Sequence, residues 1–177
     1  MLFSPRIAFV ISSLFLLSCI STESVAVVKL EIFDENSKVV SETIYSIEGC
    51  SFRNVVGSSH NKFSYELSKK DVNSYYEWNI GSVFGLPVLY IPKNFSGKET
   101  WSVDGRSFAL EAVSAVTEKN TTFTIYEVSD RSLSSDAMRY LFTSDGNYVG
   151  SRNPLTGKRY LADLSEAKSF YKGCKIP

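Results

Sequence analysis

The chain has 177 residues, enough for one domain of ordinary size and cramped for two. A hydrophobic content of 44% excludes extended disorder, and 14% aromatic residues, from 12 Phe, 10 Tyr and 2 Trp, lean towards pleated, half-buried surfaces. The 19 basic and 19 acidic side chains cancel, so no overall field draws the molecule to nucleic acid or to an anionic membrane.

In chain order, a short basic start (Met1 to Arg6) precedes the apolar run Ile7 to Leu17, eleven residues long. That run has the length of a signal-peptide core and is too short for a helix across a hydrocarbon layer of roughly 30 Å. Two cleavage points compete. Leu16-Leu17-Ser18-Cys19 resembles a lipobox, in which the Cys19 thiol is lipidated and residues 1–18 are removed. Ser24-Val25-Ala26 offers an ordinary peptidase site after Ala26. The three cysteines, Cys19, Cys50 and Cys174, favour lipidation of Cys19, which gives the odd thiol a purpose; either route leaves Cys50 and Cys174 free to pair. The expected location is therefore outside the cytoplasm, as a periplasmic or outer-membrane lipoprotein or, alternatively, as a secreted protein. Contact with a membrane is expected only through that lipid anchor.

The remainder, 19–177, reads as one domain. Val25 to Phe33 alternates as a half-buried strand, Asp34 to Ser37 turns, and Lys38 to Ile47 returns as the second arm of a hairpin. Phe63 to Leu67 and Tyr75 to Ile80 are short strands joined by a polar connection, and Val83 to Ile91 is apolar, with Pro87 suited to an edge or a bend. Glu99 to Val103, the Asp104-Gly105 turn, Arg106 to Thr117 and Thr121 to Val128 form a meander; 106–117 also satisfies a helical spacing, but the flanking turn and Thr-rich strand favour a strand. Met138 to Thr143 and Tyr148 to Ser151 flank Asp145-Gly146-Asn147, and Lys158 to Leu164 follows another turn. Ser165 to Lys172 predicts a short helix, with Ser165 as N-cap and Gly173 just past its end. The expectation is an all-β, mainly antiparallel domain of nine to eleven strands, a sandwich or barrel-like meander with one short C-terminal helix.

Pairing of Cys50 with Cys174 would close nearly the whole domain. A closed loop of about 100 residues is worth ~4.7 kcal/mol on the chain-entropy model, so a stabilising role accounts for the pair without redox chemistry.

Catalytic resources are sparse. One histidine, His60, lies in a polar run, no nucleophile elbow accompanies it, and no metal-ligand spacing, phosphate loop or dinucleotide fingerprint is present; no cofactor is expected. A carboxylate pair would have to come from Glu99, Glu111, Glu118 and Glu127, which otherwise read as solvated strand positions. Residues 19–130 carry a net charge of −5 and 131–177 a net of +4. Arg152, Lys158, Arg159, Lys168, Lys172 and Lys175 therefore either complement the rest of the fold or form a basic patch for an acidic partner. Tyr75, Tyr76 and Trp78, and the mixture of Lys158, Arg159, Tyr160 and Lys172, are candidates for partner contact, against the plainer reading as packing and solvated surface; Tyr90 and Trp101 are undecided between core and surface. Asn94-Phe95-Ser96 and Asn120-Thr121-Thr122 are glycosylation sequons that leave a eukaryotic secreted origin open. Three functions follow: a non-catalytic binding module for a protein partner, of inhibitor or immunity type; a carrier of a lipid or other apolar molecule; and a carboxylate-dependent hydrolase.

Overall fold

The computed structural model describes residues 29–34, 39–57, 61–80, 88–96, 99–134 and 137–174. The expected leader, Cys19, His60, Pro87 and Lys175 lie outside these residues.

Twelve antiparallel strands account for most of the described chain: β1 (Lys29–Phe33), β2 (Val39–Glu48), β3 (Ser51–Gly57), β4 (Lys62–Val72), β5 (Tyr75–Ile80), β6 (Val88–Pro92), β7 (Thr100–Val103), β8 (Arg106–Glu118), β9 (Thr121–Asp130), β10 (Arg139–Thr143), β11 (Tyr148–Arg152) and β12 (Arg159–Ala162), followed by one helix, α1 (Leu164–Tyr171). The spatial order is β6-β5-β4-β3-β2-β1-β12-β11-β10-β9-β8-β7. Each strand therefore pairs with its neighbour in sequence, except at two places. The first and last strands pair with each other, Ile32 opposite Ala162, and the consecutive strands β6 and β7 form the two ends of the sheet.

Those ends meet without a backbone ladder. Trp101 Nε1 donates to the Tyr90 carbonyl at 2.7 Å, Arg106 Nη1 to the Val88 carbonyl at 2.6 Å, and the Tyr90 hydroxyl to Asp104 Oδ2 at 2.7 Å. Side chains thus blunt two open edges, closing an all-β, barrel-like sheet to within one seam. Tyr90 and Trp101 are core residues that also stitch this seam.

The inner face is set by register. Leu30, Ile44, Asn54 and Tyr65 stand in one row across β1 to β4, with Phe52, Leu67 and Ile80 in the next. Phe52, Trp78, Phe142, Tyr148, Phe170 and Tyr171 fill the space between the walls, their contacting rings 5.0 to 6.3 Å apart. A second group, Phe95, Trp101, Phe108 and Tyr126, packs beside the seam. Cys50, in the β2–β3 turn, is bonded to Cys174 just beyond α1, with Cα atoms 4.7 Å apart across a sequence separation of 124. The bond ties the end of the chain to the sheet against which Phe170 and Tyr171 pack.

Several expectations are corrected. Among the described residues there are twelve strands, because Ser51–Gly57, to which the sequence assigned no element, forms β3, and the polar stretch Ser68 to Val72 belongs to β4; the turn between β4 and β5 is only Asn73-Ser74, with Asn73 at φ +51°. The strand expected over 106–117, by contrast, is present as β8. The N-cap of α1 is Asp163, not Ser165: its carboxylate accepts from Glu166 N at 2.9 Å, and Ser165 lies inside the first turn.

Candidate functional site

The side chains that alternate away from the core on β2 to β5 meet in rows. Glu48, Ser51, Ser68 and Asn79 lie side by side across the four strands; Tyr45, Arg53 and Glu66 form the next row, and Thr43, Val55 and Ser64 the third. Three small hydroxyls, Ser51, Ser64 and Ser68, therefore sit among longer side chains, and the surface sinks between them. The result is an open trough of about 620 Å³ bordered by Ile47, Glu48, Glu66 and Asn79. A shallower depression of about 410 Å³ continues from it over Tyr45, Arg53 and Val55, with Ile47 common to both. Ile47 is half exposed, an apolar side chain among hydrogen-bonding groups.

A smaller cleft of about 300 Å³ lies where α1, the start of β9 and the β10–β11 turn converge. Phe123, Leu164 and Ala167 make its floor, and Asp145 and Lys168 stand at its rim.

Inside the barrel is a buried polar cluster. Asn54, with no exposed surface, donates from Nδ2 to Glu42 Oε1 and to the Tyr65 hydroxyl, each at 2.7 Å, and the Tyr148 hydroxyl bonds Glu42 Oε1 at 3.3 Å. Asn54 Oδ1 has no partner among the described residues. Burial holds the Glu42 carboxyl above the ordinary carboxylate range, and the bonds from Asn54 and Tyr148 only partly offset it. Lys69 is the other buried ionisable group of this wall. Its ammonium donates to the Asp145 carbonyl and to Asn147 Oδ1, each at 2.8 Å, and lies 3.9 Å from the centre of the Tyr76 ring; burial lowers its pKa to about 8.

The residues singled out from sequence scatter. Trp78 is fully buried on the inner face, where Nε1 donates to the Gly146 carbonyl at 2.8 Å, so it has no surface to offer a partner. Tyr75 and Tyr76 are half-buried on β5, Tyr76 beneath Lys69 and against Gly146, where an added Cβ would fall 2.3 Å from the ring. Arg159 and Tyr160 are half-buried on β12, while Lys158 and Lys172 are exposed at separate turns. Part of the C-terminal positive charge is spent inside the fold. Arg139, Arg152 and Arg159 line up across β10 to β12, and buried Glu127 accepts from Arg139 at 3.0 Å and Arg152 at 3.3 Å. The other carboxylates considered for catalysis are not brought together as a pair. Glu111 binds Ser129 and Arg131, Glu118 Oε2 accepts from Leu164 N at 2.8 Å at the start of α1, and Glu99 is exposed. None of the residues that border the trough stands out in the sequence. The only signal in the sequence is the recurrence of serine at outward positions, and it becomes a site only through register.

The fold and the trough define a nearly closed antiparallel barrel-like domain with a filled interior and an open, polar outer face. Comparison of the chain with protein families, with curated proteins and with solved structures finds no match in any of the three.

Proposed function

We propose that this chain is an exported, non-catalytic binding module that recognises a protein partner on the outer face of β2 to β5. The observation that carries this reading is the trough: a broad opening of about 620 Å³ that mixes hydroxyl, amide and carboxylate groups with a half-exposed isoleucine and adjoins Arg53 and Tyr45. Such a surface offers directional bonds and one apolar anchor on an open face, as protein interfaces do. Aromatic rings occupy the interior that a lipid carrier would need, and Glu111, Glu118 and Glu127 each serve the fold, which favours recognition outside over carriage or hydrolysis inside.

The test is affinity capture from extracts of the source's envelope or secretions, with the mature protein beside Ser68→Arg and Ile47→Asp. A saturable partner retained by the parent and weakened at least tenfold by each variant, with unchanged thermal unfolding, supports the reading. Equal capture by all three removes the trough, and no saturable partner removes the binding module.

A further inference from the structure

We infer that Asn94 and Asn120 are N-glycan acceptors, so that the exported chain carries one oligosaccharide just after β6 and one at the β8–β9 turn and leaves the trough bare. The inference does not rest on the binding reading; it rests on the secreted alternative, in which Cys19 is removed with the leader instead of being lipidated.

Both sequons are complete, with a hydroxyl two residues after the asparagine: Asn94-Phe95-Ser96 and Asn120-Thr121-Thr122. Chance produces such triplets in any chain. A glycan is a bulky, hydrated group, however, so a folded domain can carry one only where the asparagine faces solvent. Both asparagines do. In the first sequon the middle residue is an anchor: Phe95 is buried, stacked on Tyr126 with ring centres 4.1 Å apart and edge-on to Trp101. Its burial turns Asn94 and Ser96 outward, and both are exposed. Ser96 N donates to Asn94 Oδ1 at 2.8 Å, which occupies the amide oxygen within the loop and sets the orientation of the Nδ2 that would carry the sugar. In the second sequon Asn120 closes the β8–β9 turn at φ +66°, directly after Lys119 at φ +47°, and asparagine tolerates that left-handed geometry well. Asn120 is exposed at the tip of the longest hairpin, with Thr121 and Thr122 also exposed. Neither asparagine borders the trough.

The donor is an oligosaccharide linked to a polyprenyl diphosphate, supplied by the secretory machinery. Asparagine Nδ2 attacks the anomeric carbon, an N–C bond forms, and the C–O bond to the diphosphate breaks. The diphosphate leaves with the electron pair, the Nδ2 proton passes to the transferase, and nothing is oxidised or reduced.

The experiment is translation of the full 177-residue chain with endoplasmic-reticulum microsomes, read by protease protection, by gel shift before and after endoglycosidase H, and by intact mass. The expected product is protected, lacks its leader and carries two endoglycosidase-sensitive glycans. Asn94→Gln and Ser96→Ala should each remove one glycan, Asn120→Gln and Thr122→Ala the other, and Thr122→Ser should keep it. A protected chain at unmodified mass overturns the inference. So does a chain left outside the microsomes, because export is then missing, and so does a natural product bearing a diacylglycerol on Cys19 with both asparagines bare.

Discussion

At the scale of single residues, the sharpest departures from pattern are polar groups at inward positions. Asn54 stands where the alternation of β3 demands an apolar side chain, and Glu42 stands two residues before the buried Ile44 on β2. The two are tolerable together because the amide donates to the carboxyl, and because tyrosine hydroxyls rather than charges lie around the pair: Tyr148 bonds the carboxyl, Tyr65 accepts from the amide, and Tyr171 is within electrostatic reach of the carboxyl. Burial raises the Glu42 pKa, so the folded state holds a proton that the unfolded chain has already released once pH exceeds the ordinary value of 4.5. This group's support for the fold is complete below that value and is lost as pH rises through the folded pKa. Urea unfolding from pH 4 upward should therefore show a decline that Glu42→Gln flattens, with the variant the more stable of the two at the upper end. An unchanged slope would place the carboxyl in water instead. Trp78 makes the same point in reverse. Its amphipathic ring suits a contact surface, yet its position opposite Lys69 and Leu89 puts it inside, where Gly146 supplies the acceptor for its indole N–H.

At the scale of elements, most strands were legible because alternation and turn residues agree. The Asp104-Gly105 hairpin, with both residues at positive φ, is what that dipeptide demands, and β5 begins and ends where its pattern does. Two elements resisted. β3 was hidden by Asn54 and its terminal Gly57, and the distal half of β4 by its charges, because both strands are specified by the partners they pair with more than by their own composition. The helix was legible, but its cap was displaced by two residues: a serine and an aspartate both suit the role, and only geometry shows that the Asp163 carboxylate reaches Glu166 N. Asp163→Ala should then cost about 1 kcal/mol in chemical unfolding, while Ser165→Ala should stay within about 0.5 kcal/mol of the parent. The reverse ranking would restore the sequence-based cap. The far end of β8 adds a second support, since Glu118 accepts from the first backbone N–H groups of the helix, a contact no local pattern announces.

At the scale of the whole molecule, closure is the decisive feature. The chain winds its meander outward to β6, resumes from β7 and returns to pair its last strand with its first, which leaves one seam held by Trp101, Arg106 and Tyr90. The Arg106 guanidinium also pairs with the buried carboxylate of Asp130, so the seam is anchored to β9 as well as to β6. The disulfide acts away from the seam, fastening Cys174, just beyond α1, to the β2–β3 turn. Replacing Cys50 and Cys174 together by serine should lower unfolding free energy by about 2–5 kcal/mol, the usual range for loss of a native disulfide from a small domain. Reductant should destabilise the parent alike and leave the double variant untouched. Equal stability of oxidised and reduced parent would show that the helix docks without the bond.

The residues by themselves determined the class of fold, the positions of most turns, the short terminal helix and the two cysteines fit to pair, because each of these follows from local alternation, backbone preference or a count. Tertiary structure alone decided which strands adjoin, that the barrel closes everywhere but one seam, that Trp78 turns inward, that Glu127 is buried between Arg139 and Arg152, and that three scattered serines share one trough. Those properties depend on register between strands far apart in the chain, and a two-residue periodicity says which face a side chain takes without saying what it will stand beside.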